Sequence, residues 1–269
     1  MSLLQCTGLG KRFAGLQAVD SIDLSIEKGE IVGLIGPNGA GKTTFVNLLT
    51  GELPITSGSI LYRGRDITRL ASDKRNRLGL ARTFQVPRPF HSMSILENVT
   101  LAAQFGREGR PHDRRSATRK AAEILDMTGL GAQAEAGTGT LTTAGLKRLE
   151  VARALATEPD ILFLDEPLGG LNQGEAADAL KLIRSLNEGG MTILFIEHII
   201  KAVSAISHRI VVLARGQKLA EGTPEAVLAD KEVQRAYLGN ISSALERNTA
   251  RRAQPGGSRP ASAGSASDA

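Results

Sequence analysis

An α/β fold built on a mostly parallel sheet is what this sequence predicts, and three observations predict it. Short, continuously apolar runs recur along the chain: EIVGLIG at 30–36, PDILFLDEP at 159–167 and MTILFIEH at 191–198. Each has the length and Val/Ile/Leu content of a strand buried on both faces. An amphipathic helical stretch, GEAADALKLIRSLNE at 174–188, separates the last two, and buried strands that alternate with helices make parallel sheets. Finally, a glycine-rich turn follows EIVGLIG and opens directly into a second helical stretch, TTFVNLL at 43–49.

The remaining elements follow in chain order. DSIDLSI (20–26) alternates polar and apolar residues, as a half-buried strand does. SGSILYRGRDI (57–67) reads as a strand and turn. From Met93 to Leu155 the pattern is mainly helical, clearest in SILENVTLAAQF (94–105) and RKAAEILDMTGL (119–130). Within it, Lys147 to Ala156 reads as a helix carrying apolar Leu149, Val151, Ala152 and Leu155, preceded by a Thr/Ala/Gly loop. Residues 87 to about 157 are thus expected as a helical subdomain inserted in the sheet-bearing lobe. HRIVVLARGQKLAEGT (208–223) reads as two strands across a Gly turn, and PEAVLADKEVQRAYLG (224–239) as a closing helix with Pro224 in its first turn. One domain over 1–242 is expected. The Ser/Ala/Gly/Pro/Arg-rich stretch 243–269 is too poor in large apolar residues to pack and is expected to be disordered.

Composition excludes several function classes. A single cysteine, Cys6, rules out an intrachain disulfide and fits a reducing compartment. No apolar run approaches the roughly 18 to 20 residues that span a bilayer, and MSLLQCTGLGKRF lacks the apolar centre of a signal peptide. The net charge of +5 invites a nucleic-acid or membrane-surface partner. The basic residues, however, concentrate at 106–120 and in a tail with Arg247, Arg251, Arg252 and Arg259. A solvated helix face and a disordered tail account for both, so no specific nucleic-acid partner is expected.

The chemistry lies in the glycine-rich turn. Gly36, Pro37, Asn38, Gly39, Ala40, Gly41, Lys42 and Thr43 match G-x-x-x-x-G-K-[ST] in full, between a strand and a helix. Glycines let backbone N–H groups turn inward around phosphate oxygens, and the helix N-terminus adds its positive dipole end. These residues and Thr44 form the expected nucleotide cradle, with Lys42 on the β- and γ-phosphates of ATP and the Thr43 hydroxyl on Mg²⁺. The strand ILFLDEP delivers Asp165 to its carboxyl end, where open α/β sheets place ligands. Asp165 is expected to hold Mg²⁺ through water, and Glu166 to orient and deprotonate the attacking water. Glu197, at the end of another apolar strand, is the alternative base, and its neighbour His198 is the expected γ-phosphate contact.

The order of these pieces is more specific than any one of them. The chain runs from phosphate loop to ARTFQ, a helical insertion, LTTAGLKRLEVARAL, ILFLDEP, GGLN and FIEH. This resembles the nucleotide-binding subunit of ABC transporters over residues 3 to about 240. AVDSIDLSIEKGEIVGLIGPNGAGKTTFVNLLTG, GLARTFQ, IEH and RIVVLARGQKLAEGTPEAV narrow the resemblance to the branched-chain (hydrophobic) amino acid importers, LivG type. The fold it implies is that of a P-loop, RecA-like nucleotide hydrolase with an N-terminal antiparallel β subdomain and an α-helical signature subdomain. The resemblance implies that Phe13 stacks on adenine and that Gln85 reaches Mg²⁺ and the attacking water. It implies that VPRPFHSMS (86–94) receives a cytoplasmic helix of an integral-membrane permease. Gly169 to Asn172 then link two ATPase subunits, and His198 is the switch histidine. It further implies a place on the cytoplasmic face of the inner membrane and an indirect partner in a periplasmic binding protein. The rival readings are an ABC ATPase that exports lipid or lipopolysaccharide, one that acts on nucleic acid or ribosomes, and a nucleotide-binding module that does not turn over.

The family's signature loop, usually L-S-G-G-Q, sits at a helix N-terminus and touches ATP held by the opposite subunit. Counting back from KRLEVARAL sets Leu141 on the Leu, Thr142 on the Ser, Thr143 and Ala144 on the glycines, and Gly145 on the Gln. Sliding by one residue instead sets Thr143, Ala144 and Gly145 on S-G-G. Both registers lose a glycine or more. A weakened signature is tolerable if a second, unlike ATPase subunit supplies an intact one, so a heterodimer is expected rather than a homodimer.

Overall fold

The computed structural model describes residues 2–107 and 113–237. Part of the basic segment, 108–112, and the expected disordered tail at 243–269 lie outside the described residues. The chain opens with β1 (Ser2–Phe13) and β2 (Leu16–Glu27), an antiparallel hairpin. Next come β3 (Ile31–Ile35), α1 (Lys42–Thr50), β4 (Ser57–Tyr62), β5 (Arg65–Asp66), α2 (Ser72–Leu78) and β6 (Leu80–Arg82). Helices α3 (Ile95–Gln104), α4 (Arg114–Met127) and α5 (Thr143–Ala156) follow without an intervening strand. The chain then alternates through β7 (Ile161–Asp165), α6 (Gln173–Glu188), β8 (Thr192–Ile196), α7 (Ile200–Ile206), β9 (Arg209–Ala214), β10 (Gln217–Gly222) and α8 (Pro224–Ala229).

Two sheets result. One is antiparallel, in the order β2-β1-β4-β5, and the other has six strands in the order β10-β9-β3-β8-β7-β6. Five strands of the second sheet run parallel, with only β10 antiparallel against β9. The period-2 alternation of side chains splits each central strand between two cores. Val32, Leu34, Phe163, Leu194 and Ile196 face a core shared with Leu4, Ile22 and Ile60 of the antiparallel sheet and with Phe45 and Leu48 of α1. Ile31, Ile35, Leu162, Leu164 and Phe195 face the other core, shared with Ile95, Ala121, Leu149, Leu186 and Val203 from the helices. Both faces are covered, which is why these strands read as unbroken apolar runs. Aliphatic side chains carry most of both cores, as the scarcity of aromatics requires, and each fully buried one contributes on the order of 2 kcal/mol.

Capping sets the helix boundaries. Ser94 and Glu97 form a reciprocal capping box on α3, and Asn172 and Glu175 do so on α6. The closing helix expected over 224–239 is two helices within the described residues. Helix α8 ends at Asp230, whose backbone is extended, and a second helix covers 231–237. Asp230 makes the break because its Oδ1 accepts the N–H groups of Glu232 and Val233 at 2.7 and 3.2 Å, capping a new start. Strand β1 had no clear sequence signal, since register shifts near Gly8 and Lys11 interrupt its alternation. No helix of the described residues is long and apolar enough to cross a membrane.

Candidate functional site

The glycine-rich turn joins the carboxyl end of β3 to the N-terminus of α1. Gly41 caps α1 in the left-handed region (φ +99°) and offers no side-chain cap, and the first turn of α1 carries no acid. The opening N–H groups and the positive helix end therefore face outward unopposed. Glycine is needed at Gly41 for a second reason, because a Cβ there would lie 2.6 Å from the carbonyl oxygen of Ala18. The loop rests on the antiparallel sheet in this way, and Gly216 N–H holds the Ala40 carbonyl at 3.0 Å from the β9–β10 turn. Asn38, Gly39 and Thr43 are exposed, Pro37 and Thr44 are half-buried, and Gly36, Ala40 and Lys42 are buried. Lys42 Nζ donates to the carbonyls of Gly36 (2.7 Å) and Pro37 (3.2 Å). Burial lowers the pKa of this lysine, while Glu166, Asp165 and Glu197 oppose the shift.

Asp165 ends β7 and is buried. Its Oδ2 accepts from Arg82 at 2.6 Å, and the same guanidinium reaches Asn47 on α1 and lies over the Phe84 ring. Glu166 follows in the left-handed region (φ +46°), unusual for a non-glycine residue. That backbone projects its carboxylate from the sheet edge, where Gln85 Nε2 donates to Oε2 at 2.6 Å. His198 lies beside it, with Nδ1 4.0 Å from Glu166 Oε1 and the ring half exposed. Glu197 has a different setting. It is fully buried, and its two oxygens accept the N–H groups of Leu168 (2.9 Å) and His198 (3.2 Å). Burial raises its pKa against those two hydrogen bonds. His198 Nδ1 also lies 3.5 Å from Glu197 Oε2, nearer than to Glu166. A carboxylate this deeply buried and held by two main-chain N–H groups secures the loop after β7, so of the two candidate bases Glu166 alone is accessible.

Phe13 is at the tip of the β1–β2 hairpin, 42% exposed, with the Lys11 ammonium 5.1 Å from its ring centre. An exposed aromatic ring at this edge presents a face to a planar partner. The signature stretch lies at the start of α5. Lys147 was the expected start of the helix, but α5 begins at Thr143, and Thr142 is its N-cap, accepting Gly145 N–H at 3.2 Å. Thr143, Ala144 and Gly145 are therefore its first turn. A hydroxyl at the N-cap favours the register that places Thr142 on the serine. Neither Thr143 nor Ala144 has positive φ, and the Ala144 methyl is buried, so the two missing glycines leave no strain in this helix. Thr143 and Thr142 are exposed, and the position of a Cβ on Gly170 would be 3.5 Å from Thr143 Cγ2.

Against known families, the model for ABC transporters matches residues 19–169, more than half of the chain. The chain belongs to the ABC transporter family. A second model, for branched-chain amino acid ATP-binding cassette transporters, matches residues 217–240 of this cassette. The cassette is 43% identical over 249 residues to the high-affinity branched-chain amino acid transport ATP-binding protein LivG of Escherichia coli K12, covering 88% of this chain and 98% of that one. It is 41% identical to BraF of Pseudomonas aeruginosa over the same shares. Among solved structures, an ATP-binding cassette of an ABC transporter in its ADP conformation superposes with a TM-score of 0.80 at 32% identity, covering 89% of this chain and 99% of that one. This cassette is thus the ATP-hydrolysing subunit of a transporter, on the α/β P-loop fold its sequence predicts.

Two residues of the site escaped the sequence reading. Arg82 lies within ARTFQ, three positions before its glutamine, and nothing local in the sequence marks its partner. Lys147, on α5, donates to the main-chain carbonyls of Gln85 (2.6 Å) and Glu166 (3.1 Å). A signal is present in the spacing Lys147, Glu150, Arg153, an ionisable stripe three residues apart on a helix that is otherwise mostly apolar.

Proposed function

We propose that this cassette powers the import of branched-chain or related amino acids, and that Glu166 is the base that activates water against the γ-phosphate of ATP. The observation that carries the catalytic half is the accessible carboxylate of Glu166 at the carboxyl end of β7, paired with Gln85 and beside His198. The matches at residues 217–240 and to LivG and BraF support the substrate class. The cassette works with membrane permease subunits and as a dimer. In our reading its partner ATPase is an unlike subunit, a periplasmic binding protein supplies the amino acid, and the assembly sits on the cytoplasmic face of the inner membrane.

ATP enters with its phosphates on free N–H groups of the loop between β3 and α1 and of the first turn of α1, and its adenine on Phe13. Lys42 Nζ, at the start of α1, exchanges the Gly36 and Pro37 carbonyls for phosphate oxygens. The oxygen donors of Thr43, Asp165 and Gln85 suit Mg²⁺, a hard cation usually bound by one or two protein oxygens and the substrate's phosphates. When bound, Mg²⁺ would supply positive charge that neutralises the phosphate oxygens. Glu166 takes a proton from water as the water oxygen bonds to the γ-phosphorus. The bond to the β–γ bridging oxygen breaks, leaving ADP and phosphate. His198 steadies the γ-phosphate, and the first turn of the partner's signature helix closes over it.

The test is hydrolysis and leucine uptake in vesicles that contain the chain with its permeases and second ATPase subunit. Glu166→Gln should lower hydrolysis by about 10²- to 10⁴-fold while nucleotide still binds. Wild-type turnover in that variant would remove Glu166 from the role, and ATP-driven uptake of some other solute class without leucine would remove the proposed substrate.

A further inference from the structure

Lys147 joins two catalytic segments through their main chains. It lies little more than one helical turn beyond the Thr142 cap of α5. Its Nζ bonds the carbonyl oxygens of Gln85 and Glu166, whose side chains bond each other. A closed ring results, made of α5, the segment after β6 and the end of β7. The same face of α5 continues the grip. Glu150 accepts the Arg88 N–H at 3.1 Å, and Arg153 donates to the Arg88 carbonyl at 2.7 Å and to Glu150 at 2.7 Å. Residues three apart share a helix face, so one stripe of α5 holds the chain from Gln85 to Arg88 by its backbone.

A surface lysine needs no such arrangement, since water solvates an ammonium better than two carbonyls do. This one is half-buried, and its acceptors are carbonyls, not carboxylates. Burial lowers its pKa, and the charges of Glu197, Glu166, Asp165 and Glu150 oppose that shift. The Glu166 carbonyl it holds belongs to a residue in the left-handed region, a conformation that persists only where surrounding contacts fix it. The donor on that carbonyl is one of those contacts.

We propose that Lys147 is a positioning residue for hydrolysis: it ties the helix that begins at the signature loop to the carbonyls of Gln85 and Glu166. Seating of that helix on nucleotide held by the partner subunit then sets the geometry of the base in this chain's own site. One rigid helix carries the coupling, with its first turn in the partner's site and its second in its own. The inference rests on the reading of Glu166 as base and of Thr142–Gly145 as the contact with the partner's nucleotide.

The experiment uses the full-length chain assembled with its permeases and second ATPase subunit. Hydrolysis is measured against ATP concentration for wild type, Lys147→Met, Lys147→Arg and Glu166→Gln, with the melting temperature of each. Lys147→Met is expected to lower kcat roughly tenfold to a hundredfold with KM within about twofold and an unchanged melting temperature. Lys147→Arg, which keeps a charged donor, is expected to restore most of the rate. An unaltered kcat in Lys147→Met overturns the proposal. So does a loss of rate that follows a fallen melting temperature and is not rescued by arginine, because Lys147 is then only structural. Glu166→Gln separates the two levels: if it turns over at the wild-type rate, the assignment of the base fails first and the proposal falls with it.

Discussion

The Thr142 hydroxyl accepts a hydrogen bond from its own helix and still has a proton to give. That is what a residue needs if it caps α5 and also faces a phosphate oxygen across a dimer interface. Ala144 supplies the other requirement, an N–H in the first helical turn with no intrahelical acceptor, and its methyl is buried within the fold. Thr142→Ala should cost about 1 kcal/mol of stability through the lost cap and slow hydrolysis in the assembled dimer. Ala144→Asp should slow it further, since a carboxylate would repel the phosphate and has no space inward. If transport and hydrolysis survive both substitutions, the loop is only a connector. At this scale the sequence is legible where function is local. Gly36 to Thr43 form one unbroken motif, but Lys147 takes its meaning from a carbonyl 62 residues away and Arg82 from a carboxylate 83 residues away.

Among elements, the start of β7 is where several segments meet on one side chain. Asp160 accepts from Tyr62 on β4, pairs with Arg63 at 2.7 Å, and takes two bonds of 2.9 Å from Arg107 after α3. Burial raises its pKa, but the hydrogen bonds from Arg107 and Tyr62 and the charges of Arg107 and Arg63 more than offset this, leaving it below 3.8. The unfolded chain therefore binds more protons than the folded one just below pH 3.8. The stabilisation is present above that pH and lost as pH falls through the folded-state pKa. Asp160→Asn should lower the melting temperature at pH 7, by on the order of 1 kcal/mol of stability. It should also flatten the fall in stability below about pH 4, as acid titration followed by circular dichroism would show. The other elements divide by the kind of signal each carries. Helices α3 and α6 announce themselves through capping boxes and amphipathic spacing. The short α2, β6 and α7 carry no pattern long enough to see, because their place is set by neighbours. The break at Asp230 was written in a single capping residue inside an apparently continuous helix.

At the scale of the whole molecule, the function proposed above gives the cassette a base at Glu166, a phosphate cradle at the start of α1 and a signature turn at the start of α5 that serves the partner's nucleotide. In that proposal two cassettes make a complete site. With the unlike partner proposed here, the chain alone should hydrolyse ATP slowly at any concentration, and added second subunit should raise turnover per chain by more than twofold. Full activity from the chain alone would make it a homodimer. The fold itself is legible at this scale, because strands covered on both faces must be apolar through their interiors, as β3, β7 up to Leu164 and β8 from Ile193 are. The order of the strands has a consequence for synthesis on the ribosome. Strand β3 and its phosphate loop emerge within the first 45 residues, yet β3 pairs with β8 at Ile193–Ile196 and with β9 at Arg209–Val212. The loop's support at Gly216 comes later still. A nascent chain has its nucleotide motif from the outset but no cradle until more than 200 residues are out. The ability to hold ATP is therefore expected late in synthesis, and a chain cut short before β8 should compete poorly with the finished subunit for nucleotide, as a nucleotide-binding assay on the truncated chain would show.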